Sequence, residues 1–370
     1  MPSKTDRKNI EQAVDRFTGC LLAGALGDAL GWPVEFQSID DIHSRYGNRG
    51  IQQPEANSEG VFEITDDTQM TLFTAEGCLM AWTAARHFGP PPDFGRQLHK
   101  AYLRWLNTQG EGGIDNGGWL LGEKQLYSRR APGGTCISAL ASGRAGGINA
   151  PINDSKGCGG IMRAAPAGLI AARIVDGGDE DIARFAFELG SLAAAITHSH
   201  PSGYLPAGYL AALIASLCRG MELEPAMQIA GRILKGQTGS EETSVAVEKA
   251  AALYNDNKFM PSPEVIESLG GGWTGEEALS ISLYCSLVAQ NDILTALRLS
   301  VNHSGDSDST GSITGNILGA IHGEDGLPKA WVKQLELSGI IRRIAEDLYS
   351  SFEGTHNWML KYLSKPPKPV

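Results

Sequence analysis

The sequence predicts an all-α protein. Ala- and Leu-rich stretches with helical spacing recur along the 370 residues, alternating β-branched runs are nearly absent, and the glycine-rich segments fall between the helical stretches. No Ser- or Pro-rich linker and no repeat of fixed period divides the chain. A compact, single-domain multi-helix bundle over residues 13–363 is therefore expected, with a flexible extension at 1–12 and a disordered tail at 364–370.

The first helix is expected over residues 12–31. Within it Gly19, Ala23, Gly27 and Gly31 recur every fourth residue, so a helix lines them up as one stripe of small side chains. Each glycine costs about 1 kcal/mol against alanine in a helix, so a closely packed backbone or a ligand must offset them. Pro33 ends the segment. A second helix is expected at 67–86, with Asp66 as its N-cap. Further helices are expected at 181–197, 203–219, 222–235, 241–255, 275–289, 291–302, 311–322 and 332–351.

Lys and Arg number 31 and Asp and Glu 42, a net charge of −11. That balance gives no electrostatic basis for binding nucleic acid or an anionic membrane. The six cysteines are scattered with no C-x-x-C pair, which suits small buried side chains in a reducing compartment. The N-terminus has no apolar signal core, and no uninterrupted apolar run has the length of a bilayer span. A cytoplasmic location is expected. Kinase, zinc-protease and α/β-hydrolase signatures are missing.

Two acidic clusters carry the chemistry. ITDDTQM (64–70) sets the Thr65 hydroxyl beside the Asp66 and Asp67 carboxylates at a helix start. Concentrated carboxylates repel, and oxygen-only donors suit hard divalent cations; the same residues also make an ordinary helix cap. VNHSGDSDSTG (301–311) places Asp306 and Asp308 in a loop ahead of a helix beginning near Thr310. It is not an EF-hand, because the twelfth place counted from Asp306 holds Ile317 where that loop needs a bidentate Glu. Neither cluster alone supplies enough ligands for two ions; together they do.

With GALGDALGWPVEF (24–36), KGCGGIMRAAP (156–166) and THSHP (197–201), these motifs resemble the ADP-ribosylglycohydrolase family, in the family's order and over residues 16 to about 325. The resemblance implies an all-α fold with two Mg²⁺ (or Mn²⁺) at the base of a cleft for ADP-ribose. It makes Thr65, Asp66, Asp67, Asp306, Asp308 and Ser309 metal ligands, and Glu35, Asp67 and Asp308 candidates for the acid/base role. It places Ser155, Gly157, Cys158 and Gly159 in a loop whose amides hold the diphosphate, aided by a helix starting near Ile161. Family members often carry Asn or Ser at the place of Cys158. His198 matches a histidine near the phosphates or proximal ribose, and Asp115 a carboxylate on the leaving-group side. Arg163 is either a phosphate partner or half of a buried ion pair.

The implied reaction is hydrolysis of the N-glycosidic bond between ADP-ribose and arginine, on an ADP-ribosylated protein or a small ADP-ribosyl substrate. One alternative is a serine-linked or O-acyl ADP-ribose substrate. Another is an immunity protein that counteracts an ADP-ribosyltransferase toxin, with residues 1–12 as a binding arm.

Overall fold

The computed structural model describes residues 4–112, 117–257 and 261–363. In chain order the helices are α1 (Lys4–Gly31), α2 (Ile39–Tyr46), α3 (Asp66–Phe88), α4 (Phe94–Thr108), α5 (Gly134–Ala141), α6 (Ala165–Ile174), α7 (Asp179–Ala195), α8 (Pro201–Cys218) and α9 (Leu223–Lys235). There follow α10 (Glu241–Asn257), α11 (Pro263–Glu267), α12 (Gly275–Val288), α13 (Ile293–Val301), α14 (Ser307–His322), α15 (Lys329–Gln334), α16 (Ser338–Ser350) and α17 (His356–Tyr362). Extended pairing among the described residues is limited to isolated bridges such as Ala56–Phe62 and Gly157–Thr274. The all-α expectation is met.

Three expectations about elements need correcting. The first helix reaches back to Lys4, so most of the expected N-terminal extension is helical; it is exposed from Lys8 to Gln12 and buried from Phe17 on. The same helix has the length and apolar character of a bilayer span over Lys8–Val34, yet 89% of its apolar window is buried inside the protein, as suits a core helix. The helix expected at 332–351 is two, α15 and α16. The break is held by Phe62, whose amide donates to the Gln334 carbonyl and whose carbonyl accepts from the Glu336 amide. The expectations also leave out α5, α11 and α17, which are short, and the pair α2 and α4. The starts of α2 and α4 are marked by capping side chains: Ser38 accepts from the Asp41 amide and Asp93 from the Arg96 amide.

Helix α8 is buried on every face from Ser202 to Cys218 and forms one axis of the core. The other is the antiparallel pair of α1 and α14. Its contact is made of backbone. A Cβ on Gly27 would collide with the Gly311 carbonyl, one on Gly315 with the Ala23 carbonyl, and one on Gly319 with the Gly19 carbonyl. The α1 stripe read from the sequence thus meets a second stripe, Gly311, Gly315 and Gly319, four residues apart on α14. The helices approach until main chain touches main chain, which repays the helical cost of these glycines through dispersion contact. At the end of the seam a Cβ on Gly31 would strike Ser307 and Asp308. The C-terminus of α1 is therefore clamped against the N-terminus of α14, where the second acidic cluster begins.

Candidate metal centre and cleft

Helices α3 and α14 both start at this point. Thr65 caps α3 and Asp306 occupies the N-cap position of α14, so Asp66, Asp67 and Asp308 lie in first turns where the helix dipoles favour negative charge. Asp308 is inside the helix rather than in a loop before it, because α14 begins at Ser307 and not near Thr310. The preceding loop is pinned from several sides. Asn302 brackets Ile51 by accepting from its amide and donating to its carbonyl. The Asp306 amide donates to the Gly271 carbonyl, and the Gly305 carbonyl accepts from the Phe36 amide. Gly305 has φ +140 and lies so close to Gly271 that a side chain would not fit.

The two clusters meet. A cleft of about 510 Å³, mouth included, is lined by Glu35, Asp66, Asp67, Asp306, Asp308 and Ser309 at one end. Carboxylate oxygens of Glu35, Asp306 and Asp308 lie within 4.8 Å of one another. Ser309 Oγ lies 3.5 Å from Asp67 Oδ1, which brings the first turn of α14 alongside that of α3. No Lys or Arg of the described residues pairs with these carboxylates, and Asp67 Oδ2 is buried without a hydrogen-bond partner. An orphaned buried carboxylate oxygen inside an all-acidic oxygen set fits a hard divalent cation.

Electrostatics agrees. Burial, then the charges of Asp306, Asp66 and Asp28, pushes Glu35 up to about 9. Burial raises Asp66 to about 8 despite the Gly133 amide hydrogen bond, with Asp28 and Asp306 adding to the rise. Asp67 and Asp308 move up for the same reasons, burial first and neighbouring carboxylates second. Stripped of divalent cations, the protein should therefore lose stability as pH rises from about 4 to about 9, since Asp28, Asp66 and Glu35 titrate at about 6, about 8 and about 9 when folded against 3.8 to 4.5 when unfolded. Their raised values favour the fold below the unfolded pKa, and that advantage disappears through the folded one. Saturating Mg²⁺ should flatten the slope. Melting temperatures at several pH values, with EDTA and with Mg²⁺, check this; an EDTA curve that rises over this range contradicts it.

Asp28 was not singled out from the sequence and is central here. It is fully buried on α1 and accepts from the amide and hydroxyl of Thr65 (3.1 and 2.9 Å) and from the amide and hydroxyl of Thr68. Burial still outweighs these bonds and raises it to about 6. A lone charged residue, beside Gly27, in the stretch from Phe17 to Gly31 was the available signal. Thr65, expected as a ligand, turns its hydroxyl to Asp28 and accepts from the Asp67 amide at 3.3 Å. Asp28 thereby orients the start of α3.

The cleft continues along Ala131, Gly133, Gly134, Thr135 and Cys136, none of them foreseen, to Gly157, Cys158, Gly159, Met162 and His198. Ser155 lies behind this wall, bonded to Thr135 and to the Gly157 amide. The Cys158 amide donates to the Trp273 carbonyl, so the amides at 157 and 158 are both engaged and do not face an anion. The expected helix at Ile161 is replaced by a 3-10 turn at Cys158–Gly160, with α6 starting only at Ala165. Pro166 fits its first turn. The Cys158 thiol donates to Asp306 Oδ2 at 2.9 Å. A hydroxyl can make the same bond, so Cys158→Ser should change ADP-ribose affinity less than about threefold; titration calorimetry reads this, and a larger loss would assign the sulfur a role of its own. At the rim Phe36 (φ +63) stacks on Trp273 with centroids 5.2 Å apart and planes at 19°. Asp115 lies outside the described residues.

Arg163 is neither phosphate partner nor ion-pair member. It is fully buried, its guanidinium lies 4.3 Å from the centre of the Tyr102 ring, and it donates to Thr197 Oγ1 at 2.6 Å. The buried Arg–carboxylate pair is instead Arg104–Glu76, at 2.7 Å.

The family model for ADP-ribosylglycohydrolase matches residues 9–357. The chain belongs to the ADP-ribosylglycohydrolase family. It is similar to ADP-ribosylhydrolase ARH3 of Homo sapiens, 25% identical over 92% of this chain and 95% of that protein. It is 23% identical to the ADP-ribosyl-[dinitrogen reductase] glycohydrolase of Rhodospirillum rubrum, over 87% of this chain and 91% of the relative. An ADP-ribosylarginine hydrolase of Pseudomonas putida is 25% identical over 92% of this chain and 79% of its own. A solved ADP-ribosylglycohydrolase-related protein complex shares the fold, with a TM-score of 0.61 at 23% identity over 92% of this chain and 99% of that one. Membership makes this chain an enzyme that removes ADP-ribose by hydrolysis.

Proposed function

We propose that this ADP-ribosylglycohydrolase cleaves the N-glycosidic bond between ADP-ribose and an arginine side chain, with two Mg²⁺ (or Mn²⁺) held by the acidic cluster. The observation that carries the reading is the convergence of Glu35, Asp66, Asp67, Asp306 and Asp308 at one end of a cleft, with no cation among the described residues to balance them. The linkage rests on the relatives named for arginine and dinitrogen-reductase substrates. Asp66, Asp67, Asp306, Asp308 and Ser309 would hold the ions, with Thr65 turned by Asp28 beside them. Bound there, the ions would supply Lewis acidity and fix the ribose hydroxyls and an attacking water.

The chain's own residues supply the rest. Guanidine leaves the ribose carbon readily only when protonated. Glu35 sits half-buried along the cleft beside the carboxylates of Asp306 and Asp308, so its Oε atoms are suited to pass a proton to the leaving nitrogen. Asp67, with one oxygen free of protein partners, is suited to accept a proton from water. The glycine wall at 157–159 leaves room for a diphosphate beside His198.

Incubation with ADP-ribosylarginine and, in parallel, ADP-ribosylserine tests the linkage, in Mg²⁺ and in EDTA. Release of ADP-ribose from the arginine conjugate, lost in EDTA and in Asp66→Ala/Asp67→Ala, supports the proposal. Release from the serine conjugate alone overturns the linkage, and undiminished activity in the double variant overturns the metal centre.

A further inference from the structure

We propose that Arg163 is a positioning residue that acts through Thr197 to hold His198 as the neutral Nε2–H tautomer, so that the imidazole offers a fixed N–H donor to an anionic group in the cleft.

The buried guanidinium has no carboxylate partner among the described residues. Its environment is the Tyr102 ring, sulfur and neutral oxygen: the ring centre at 4.3 Å, Cys136 Sγ at 3.2 Å, Met70 Sδ at 3.3 Å, the Ala193 carbonyl at 3.3 Å and Thr197 Oγ1 at 2.6 Å. Arg163 Nε has no acceptor among the described residues. An isolated buried cation is costly, so its retention behind the wall of an active-site cleft calls for a physical account.

The hydrogen-bond directions supply one. A guanidinium only donates, so Thr197 Oγ1 accepts from Arg163 and keeps one proton of its own. The acceptors for that proton are His198 Nδ1 at 2.9 Å, the Ala194 carbonyl at 3.5 Å and the Cys136 sulfur, which accepts only weakly. The second distance is beyond the usual range for an O–H donor. The proton therefore goes to Nδ1, which must be the unprotonated ring nitrogen. The ring's hydrogen is left on Nε2, the atom beside the glycine wall: Cβ positions built at Gly157 and Gly159 would both lie 3.2 Å from it. His198 Nε2 makes no hydrogen bond to any described residue, and His198 lines the cleft. Burial and the Arg163 charge together drive the imidazole down to about 3, which keeps the ring neutral. A guanidinium at the head of the chain also polarises the hydroxyl and, through it, the ring.

The identity of the anion, the ADP-ribose diphosphate, rests on the proposed function; the tautomer does not. Full-length protein labelled with ¹⁵N-histidine, in Mg²⁺ at pH 7, reports the tautomer directly in long-range ¹H–¹⁵N spectra, with His198→Gln assigning the signal. The expected pattern is a protonated Nε2 and a bare Nδ1 in the wild type and in Thr197→Ser, and loss of that pattern in Thr197→Val. Titration calorimetry with ADP-ribose should show affinity falling about ten- to hundredfold in Thr197→Val and returning in Thr197→Ser. A wild-type ring protonated on Nδ1, or on both nitrogens, overturns the proposal without recourse to any variant. So does ADP-ribose affinity unchanged in Thr197→Val. Wild-type protein that shows the tautomer but binds no ADP-ribose would leave the relay standing and refute the ligand.

Discussion

Asp67→Asn is expected to lower kcat/KM on an ADP-ribosylated substrate by on the order of 10³-fold and, in the same protein, to raise the melting temperature in EDTA at pH 8. The two effects share one cause. Asp67 is buried against Asp28, Asp66, Asp306 and Glu35, and its Oδ2 has no protein partner. Without a cation the carboxylate contributes repulsion and an unpaid desolvation penalty; the amide removes the charge at nearly constant volume. With a cation the carboxylate is what binds, and the amide loses it. Sites held for function against stability behave this way. Steady-state kinetics and paired melting curves check both halves. A variant that is less active and also less stable in EDTA would mean that Asp67 serves the fold rather than the cleft.

Gly27→Val is expected to cost about 4 kcal/mol or more, enough to leave little folded protein. Its Cβ would fall inside the Gly311 carbonyl, and relief requires α1 and α14 to part along their whole seam. Gly231→Ala is the matching control. Gly231 also lies within a helix, α9, but a Cβ there meets nothing within 4 Å. That substitution should stabilise the protein by roughly 0.5–1 kcal/mol. Urea denaturation of the two variants separates the effect of approach distance from that of helix propensity. Equal responses would mean that the α1–α14 contact is softer than its geometry indicates.

Much of this was legible in the sequence, for reasons that differ by residue. The stripe of Gly19, Ala23, Gly27 and Gly31 announced a close approach because the helical period is fixed, although its partner on α14 could not be named. The convergence of the two acidic clusters followed from ligand counting and from family resemblance. Asp28 was missed because its role is set by Thr65 and Thr68, about forty residues away, and no local pattern records such a contact. Gly133 and Cys136 were invisible for the same reason: α5 reaches the cleft only through tertiary packing. Arg163 was misjudged because an arginine's neighbours decide whether it pairs, stacks or relays. The long C-terminal helix divided where Phe62 inserted its backbone, a competition between distant segments that propensity does not register.

The α1–α14 seam has one more consequence. The distance between Asp28 and Asp308 is gauged by peptide groups, atoms common to every residue, and not by interlocking side chains whose shapes drift under mutation. Conservative changes elsewhere in the hydrophobic core should therefore alter how readily the protein melts while leaving the proposed binding of divalent cations untouched. Among the apolar interior positions, substitutions at the touching glycines should move both at once. The centre's dimensions are, in effect, insulated from the variation that the rest of the interior tolerates.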